Sequence, residues 1–335
     1  MENGFTFNYS IIAQGNQFIG REQEKNELIK GIYSGIKYSL YGQKRVGKTS
    51  LAFELTRILE SMDGEKSRIL GNDVEYKVAY CDCGTILTEK DLWKKILKGL
   101  DLEYDFISDE IDYFYISEIL LNNINVRKLI ILDEFQIIAS NNKIPQDFYN
   151  FLRGISNTNS LINYMTISKS PIFDIEQLYD HLIGSPFFNI FTKYNLKALP
   201  KGEASKLLND GLRNLLNGQQ KLVDELIEYS GTSPFYLNKI GSICMKYAPI
   251  SDNIETIKRE FFLECSPFFE DMIKEYDMYR YSTIISAITT KGFMIDSILK
   301  RKFMEENIIT DCEENKVKIS SKALEEYILN KTNEH

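Results

Sequence analysis

Gly42-Gln-Lys-Arg-Val-Gly-Lys-Thr49 lies between a short β-rich run, Tyr33–Tyr41 (YSGIKYSLY), and a stretch of helical spacing, Thr49–Leu59 (TSLAFELTRIL). In the second stretch Leu51, Leu55 and Ile58 share one face. The eight residues match GxxxxGK followed by Ser or Thr, in the strand-then-helix setting that the pattern requires. Two glycines let the backbone wrap an anion with its amides inward, and the helix N-terminus adds partial positive charge. Such a loop predicts a parallel α/β sheet with the loop at its C-terminal edge. Within it, Gly42, Gln43, Lys44, Arg45, Val46, Gly47, Lys48, Thr49 and Ser50 are the candidate phosphate contacts. Lys48 would bridge the β- and γ-phosphates of a nucleotide, and the Thr49 hydroxyl would hold Mg²⁺.

A second motif supports the first. Leu129-Ile-Ile-Leu-Asp133-Glu134 is a solid apolar run ending in two carboxylates, the pattern of a strand buried on both faces. At the carboxyl edge of an open sheet, Asp133 would hold Mg²⁺ through water and Glu134 would polarise the attacking water. Taken alone, the two acids could equally begin a solvated loop. After a phosphate loop at this separation they point to nucleoside triphosphate hydrolysis.

Composition excludes several other chemistries. Only two histidines occur, His181 and His335, which argues against two-histidine zinc sites and most histidine-bearing triads. The five cysteines (Cys81, Cys83, Cys244, Cys265, Cys312) are scattered, and Cys81-x-Cys83 lacks a second ligand cluster. No apolar run reaches the roughly 20 residues of a membrane helix, and Met1–Ser10 carries no signal-like stretch, so a cytoplasmic protein is expected. A net charge of -8 argues against coating of nucleic acid by the whole surface, though not against a local basic patch.

Along the chain, Tyr76–Cys81 and Ile162–Ser168 read as strands and Lys193–Leu199 as a final one. Helices are expected at TEKDLWKKIL with Thr88 as N-cap, at ISEILLNNI, and at Asp147–Ile155. Strands alternating with helices over Ile19–Leu199 specify the parallel sheet. From Gly202 the texture turns helical: GEASKLLNDGLRNLL, KLVDELIEYS and FYLNKIGSICMKYA. Three domains are expected from these changes, 1–200, 201–270 and 271–335.

Phe18-Ile-Gly-Arg-Glu22, about twenty residues before the phosphate loop, resembles the "hhGRE" box of AAA+-type ATPases. It is most similar to the STAND branch that includes the archaeal ATPase and origin-recognition-like groups. Leu132-Asp-Glu-Phe-Gln136 is similar to that clade's Walker B motif, and Gly231-Thr-Ser-Pro234 resembles its "GxP" lid signature. The resemblance implies a P-loop core followed by an all-α lid and a C-terminal winged helix. It also implies that Ile19, Gly20 and Arg21 pack beside adenine and that Pro234 contacts the base.

Relatives end the fourth strand with a polar residue that senses the γ-phosphate. Thr166, Ser168 and Ser170 compete for that role here, and Ser168, at the end of the apolar strand, is preferred. Arg153, taken to end the preceding helix, stands where ring-forming relatives carry an arginine finger, while a surface arginine on an amphipathic helix is the plainer reading.

The segment Asp277–Asn330 reads as the winged helix: Ser282–Thr290, Met294–Glu306, a wing strand Val317–Ile319 and a helix Ser321–Leu329. Lys300-Arg-Lys302 could meet phosphates, but Glu305, Glu306, Asp311, Glu313 and Glu314 follow and would repel DNA. Tyr276, Tyr279 and Tyr281 read as packing rather than base-stacking platforms. The expected function is an ATP- and Mg²⁺-dependent switch that rearranges lid and winged helix to control a separate protein partner or a homo-oligomer. The alternative is a DNA-associated ATPase, resembling origin-recognition or transposition regulators, that oligomerises on nucleic acid with Arg153 acting in trans. A small-molecule P-loop kinase would leave the GRE box, the GxP segment and the winged helix without a role.

Overall fold

The computed structural model describes residues 6–61, 65–71, 74–106, 110–122, 125–179, 182, 184–216, 218–274, 280–284, 297–311 and 317–333. The chain divides into two units. An α/β unit comprises Glu22–Gly42 and Lys48–Leu196, and a helical unit comprises Met1–Arg21, Gln43–Gly47 and Lys197–His335.

In the α/β unit, helix α1 (Glu22–Tyr33) precedes strand β1 (Lys37–Tyr41), and α2 (Lys48–Glu60) and α3 (Glu65–Leu70) follow. The YSGIKYSLY run is strand only from Lys37, because α1 reaches Tyr33 and Gly35 turns the chain with φ 85°. Next come β2 (Tyr76–Asp82), α4 (Glu89–Gly99), α5 (Tyr113–Leu121), β3 (Arg127–Asp133) and α6 (Phe135–Ala139). The unit finishes with α7 (Gln146–Thr158), β4 (Ile162–Ser168), α8 (Ile172–Glu176) and β5 (Phe191–Asn195). The strands form one parallel sheet in the order β2-β3-β4-β1-β5, the α/β core that the sequence specifies. β4 is buried along its whole length and β3 from Lys128 onward, as parallel strands covered on both faces require. Trp93, Phe135, Phe148, Tyr149, Tyr164, Phe187 and Phe188 form the aromatic part of its core.

Local chemistry sets the ends of α4. The Thr88 side chain accepts from Asp91 N, and Asp91 accepts from Thr88 N, a reciprocal capping box. β5 starts and ends earlier than expected. Leu196 N donates to the Tyr41 carbonyl beyond the strand's end, and Leu199 is drawn into the core of the helical unit.

The helical unit contains α9 (Lys201–Gly211), α10 (Arg213–Leu216), α11 (Gln220–Ser230), α12 (Pro234–Cys244) and α13 (Ile254–Ile273). GEASKLLNDGLRNLL is therefore two helices rather than one, divided after Gly211, a residue of low helix propensity. The twenty-residue α13 continues through Pro267. Its ring deprives the Leu263 carbonyl of a donor, on a face where the Leu263 side chain is 63% exposed and water can substitute. Farther on are a helix Ser297–Glu305, an antiparallel pair of β6 (Ile309–Asp311) with β7 (Val317–Ile319), and a helix Lys322–Asn333. Leu208, Leu226, Leu237, Phe261, Phe269, Phe303, Ile308 and Leu324 share one apolar core, and Asp271 falls in the last turn of α13. His181, Tyr276, Tyr279, Cys312, Glu313, Glu314 and His335, with 285–290 and 294–296 of the expected helices, lie outside the described residues. Among the described residues no helix is long and apolar enough to cross a membrane.

Candidate functional site

The strand order places β1 between β4 and β5, with its C-terminal end leading into Gly42. Ser168 of β4 and Asn195 of β5 both pair in register with Tyr41, and Asp82 of β2 pairs with Asp133 of β3. Polar residues from four strands thus collect along one sheet edge, where open parallel sheets bind ligands.

Gly42–Thr49 takes the shape its glycines allow. Gly47 (φ 97°) and Arg45 (φ 67°) adopt left-handed backbone, and Gly42 has φ 154°. The Lys48 side chain, 9% exposed, turns back so that Nζ donates to the Gly42 carbonyl at 2.8 Å. Thr49 opens α2 and its Oγ1 donates to Asp133 Oδ2 at 2.7 Å, joining two motifs 84 residues apart.

Asp133 is 3% exposed and accepts three hydrogen bonds: from Thr49, from the Tyr80 hydroxyl at 2.7 Å on the same Oδ2, and from Glu134 N at 2.8 Å on Oδ1. Burial and the Asp133 carboxylate both push the Tyr80 phenol pKa up. Glu134 is exposed in left-handed backbone (φ 52°), with its carboxylate accepting from the Gln136 amide. Oxygen donors alone, Thr49 Oγ1 and the Asp133 carboxylate, suit a hard cation such as Mg²⁺.

Ser168 is buried at the end of β4 and its Oγ donates to the Ser170 carbonyl at 2.5 Å. Thr166 lies two residues deeper, fully buried, its hydroxyl without a partner. Arg153 does not end its helix, since α7 runs on to Thr158; its Nε is buried without a hydrogen-bond partner. Gly154, a poor helix former, is carried by the apolar face that Leu152 and Ile155 bury.

Apart from Ser50, the remaining candidates belong to the helical unit. Ile19 packs at the rim of its core. Gly20 (φ 82°) holds a left-handed backbone that strains any other residue, and a Cβ there, 2.5 Å from Glu203 Oε2, would displace the Glu203 carboxylate. Arg21, 3% exposed, sends Nη2 to two carbonyls, Val46 at 3.1 Å and Lys197 at 2.6 Å, while its own N–H donates to Glu203 at 2.9 Å. Arg21 therefore clamps the tip of the phosphate loop through the backbone. Ser233 Oγ donates to the Arg45 carbonyl at 3.3 Å, and Pro234 Cγ comes within 3.8 Å of where a Gly47 Cβ would stand. The Arg45 guanidinium lies over the rings of Phe268 (4.1 Å) and Phe235 (5.1 Å). Lys44 is exposed, and Gln43 and Ser50 are half-buried.

Sequence reasoning did not find Tyr80, Glu203, Phe235 or Phe268. Tyr80 is a half-buried aromatic within β2 that no motif marks, and only the pairing of β2 with β3 brings it to Asp133. Cys81 and Cys83 are buried within the core, burial pushing the Cys81 thiol up to about 12, and among the described residues they join no cluster of three or more His, Cys, Asp or Glu side chains that could hold a metal.

Two family profiles match the sequence: that described as Novel STAND NTPase 2 over residues 115–260, and that of the AAA domain over residues 38–167. Among curated proteins none matches. The fold is similar to that of a Walker-type ATPase of Pyrococcus abyssi, with TM-score 0.62, 15% identity and coverage of 96% of this chain and 99% of that one. It is also similar to the ORC2 protein of Aeropyrum pernix in its ADPNP–ADP complexes, with TM-score 0.58, 12% identity and 98% of each chain covered. The ADP form of that protein aligns with TM-score 0.55 at 14% identity, over 97% of each chain.

Proposed function

We propose that this chain, a STAND/AAA+-like P-loop NTPase by its two profile matches and by a fold similar to that of archaeal ATPase and ORC2 proteins, binds and hydrolyses ATP as a molecular switch. The observation that carries the proposal is the Thr49–Asp133 hydrogen bond, since Walker-type chemistry needs a loop hydroxyl and a strand-end carboxylate at one cation. Nucleotide complexes of the ORC2 protein, which has a similar fold, lend it support.

In this reading the amides of Gln43–Gly47 and the N-terminus of α2 hold the phosphates, and Lys48 exchanges the Gly42 carbonyl for phosphate oxygens. Thr49 and Asp133 would hold Mg²⁺, which supplies charge neutralisation on the β- and γ-oxygens when bound. Glu134 orients a water molecule and takes its proton as the water oxygen bonds to the γ-phosphorus and the bond to the β-γ bridging oxygen breaks. Ser168 reports on the γ-phosphate by exchanging its Ser170 partner. Ile19 and Pro234 contact the base, while Arg21 acts by holding the loop. Arg153 serves as a finger only in an assembly.

The domain reading places a nucleotide domain over 1–200, a helical lid over 201–270 and a winged helix over 271–335. Nucleotide exchange or hydrolysis shifts the helical parts between two arrangements and so controls a protein partner or self-assembly. A DNA-associated ATPase is the rival function. On the helix that would carry it, Arg301 Nε donates to Glu305 at 3.1 Å, so that charge is already partnered.

The test measures ATP turnover and particle mass together, with and without duplex DNA, for wild type, Lys48→Ala and Glu134→Gln. We expect ATP to shift mass or compactness in wild type but not in Lys48→Ala, and DNA to change neither rate nor mass. DNA-stimulated turnover, with Glu134→Gln trapping an oligomer on DNA, would replace the switch with the loader. Nucleotide binding with no turnover above Lys48→Ala would reduce the protein to a nucleotide-binding scaffold.

A further inference from the structure

Asp133 is oriented by more than its own strand. A carboxylate offers about four lone-pair directions. Three of them are filled here, two on Oδ2 by Thr49 and Tyr80 and one on Oδ1 by Glu134 N. The Glu134 amide is fixed by the covalent chain and Thr49 by the phosphate loop. Tyr80 comes from a third element, β2, and is the donor that neither motif supplies.

The phenol is itself held in place. β2 and β3 pair in parallel with Tyr80 opposite Ile131, so the ring projects from the neighbouring strand and its hydroxyl reaches across to the end of β3. The Phe53 ring packs against Tyr80 at 4.5 Å between centroids, tilted by 46°. Phe53 lies four residues beyond Thr49 on α2, hence on the same helix face. One face of α2 thus delivers both the Thr49 hydroxyl and the surface that orients Tyr80. The Tyr80 ring cannot swing away from Asp133 without vacating that contact.

We propose that Tyr80 is a positioning residue for the divalent cation, holding Asp133 in the orientation that accepts a metal-bound water. Groups in this outer position characteristically change metal affinity by about 10–100-fold when removed. The inference rests on the reading that Thr49 and Asp133 hold Mg²⁺, and it assigns Tyr80 to the cation rather than to the nucleotide. Removing its hydroxyl leaves Oδ2 with Thr49 alone, and the carboxylate gains a rotation that the Mg²⁺-bound state must then suppress.

The experiment uses the full chain and a fluorescent non-hydrolysable ATP analogue, with affinity read by anisotropy in EDTA and across a MgCl₂ titration. Tyr80→Phe should bind the analogue in EDTA within about twofold of wild type, while its Mg²⁺ midpoint rises about tenfold. Tyr149→Phe is the control: it loses a buried phenol hydrogen bond, to the Ile138 carbonyl at 3.1 Å, in the same unit. Its Mg²⁺ midpoint should stay at the wild-type value. A Tyr80→Phe midpoint equal to wild type, or shifted no more than in Tyr149→Phe, overturns the proposal. So does a loss of affinity equally large in EDTA, which would mark Tyr80 as a general support of the fold. Failure of the underlying reading has a different signature: wild type and Asp133→Asn would then show the same Mg²⁺ dependence.

Discussion

Arg21 offers the most direct test of how the phosphate loop is held. Its Nη2 bridges the Val46 and Lys197 carbonyls from a position 3% exposed to solvent. Hydrogen bonds from a charged donor contribute about 1.5–3 kcal/mol each, and a buried acceptor left bare costs about 1–3 kcal/mol. In Arg21→Lys the ammonium keeps three donors but sits on a shorter stem without the planar guanidinium fork, so we expect it to reach one of the two carbonyls and lose the bond to the other. At 1.4 kcal/mol per tenfold, that corresponds to about 10–100-fold if the whole loss falls on loop order. We expect nucleotide affinity to fall at least about tenfold in Arg21→Lys, and further in Arg21→Ala, where both carbonyls are abandoned. Arg21→Gly separates side chain from backbone. At φ 66° a non-glycine residue is strained by roughly 1–2 kcal/mol, so the glycine variant should be more stable to heat than the alanine variant by about that amount. Anisotropy titrations of a fluorescent ADP and thermal unfolding measured in parallel provide the assay. If Arg21→Lys and Arg21→Ala both bind within twofold of wild type and melt at the wild-type temperature, the clamp is not what orders the loop.

Two further perturbations probe the α/β unit away from the loop. Thr88→Ala removes one half of the α4 capping box and should cost about 1 kcal/mol, seen as a melting point lower by about 2–4 °C with nucleotide affinity unchanged; an unaltered melting point would refute the cap's contribution. Glu89 is a pH case: burial raises its pKa, against hydrogen bonds from Tyr113 and Trp93 that lower it. A folded pKa above the unfolded one, about 4.3, means a contribution fully present below that value and lost as pH rises through the folded pKa. Melting curves should therefore show the Glu89→Gln variant gaining on wild type as pH rises from about 4 to 7; a difference that stays flat or moves the other way would contradict the burial argument.

Much of the fold was legible because it is encoded within single turns. Thr88 and Asp91 cap one helix, three residues apart. The apolar run Leu129–Leu132 announces a strand covered on both faces, and the glycines of Gly42–Gly47 announce the loop after β1. Errors arose where a neighbour outside the window decided the outcome. Leu196–Leu199 reads as strand by composition, yet the demand for apolar side chains in the helical unit takes Leu199 away. Gly211 divides a helix that its periodicity made continuous, whereas Gly154 does not, because Leu152 and Ile155 bury a face across it.

The same distinction runs through the candidate site. Residue types and spacing within the sequence determined that a loop lysine, a loop hydroxyl and a strand-end carboxylate exist, and that an α/β sheet would carry them. Only the strand order brings Tyr80 to Asp133, across 53 residues, and only the packing of the helical unit lays Arg45 over Phe235 and Phe268. The physical reason is one of range. Backbone propensity, caps and periodicity act between neighbours three or four positions apart, whereas the partner of a buried carboxylate or a guanidinium is chosen by which elements the whole chain packs side by side.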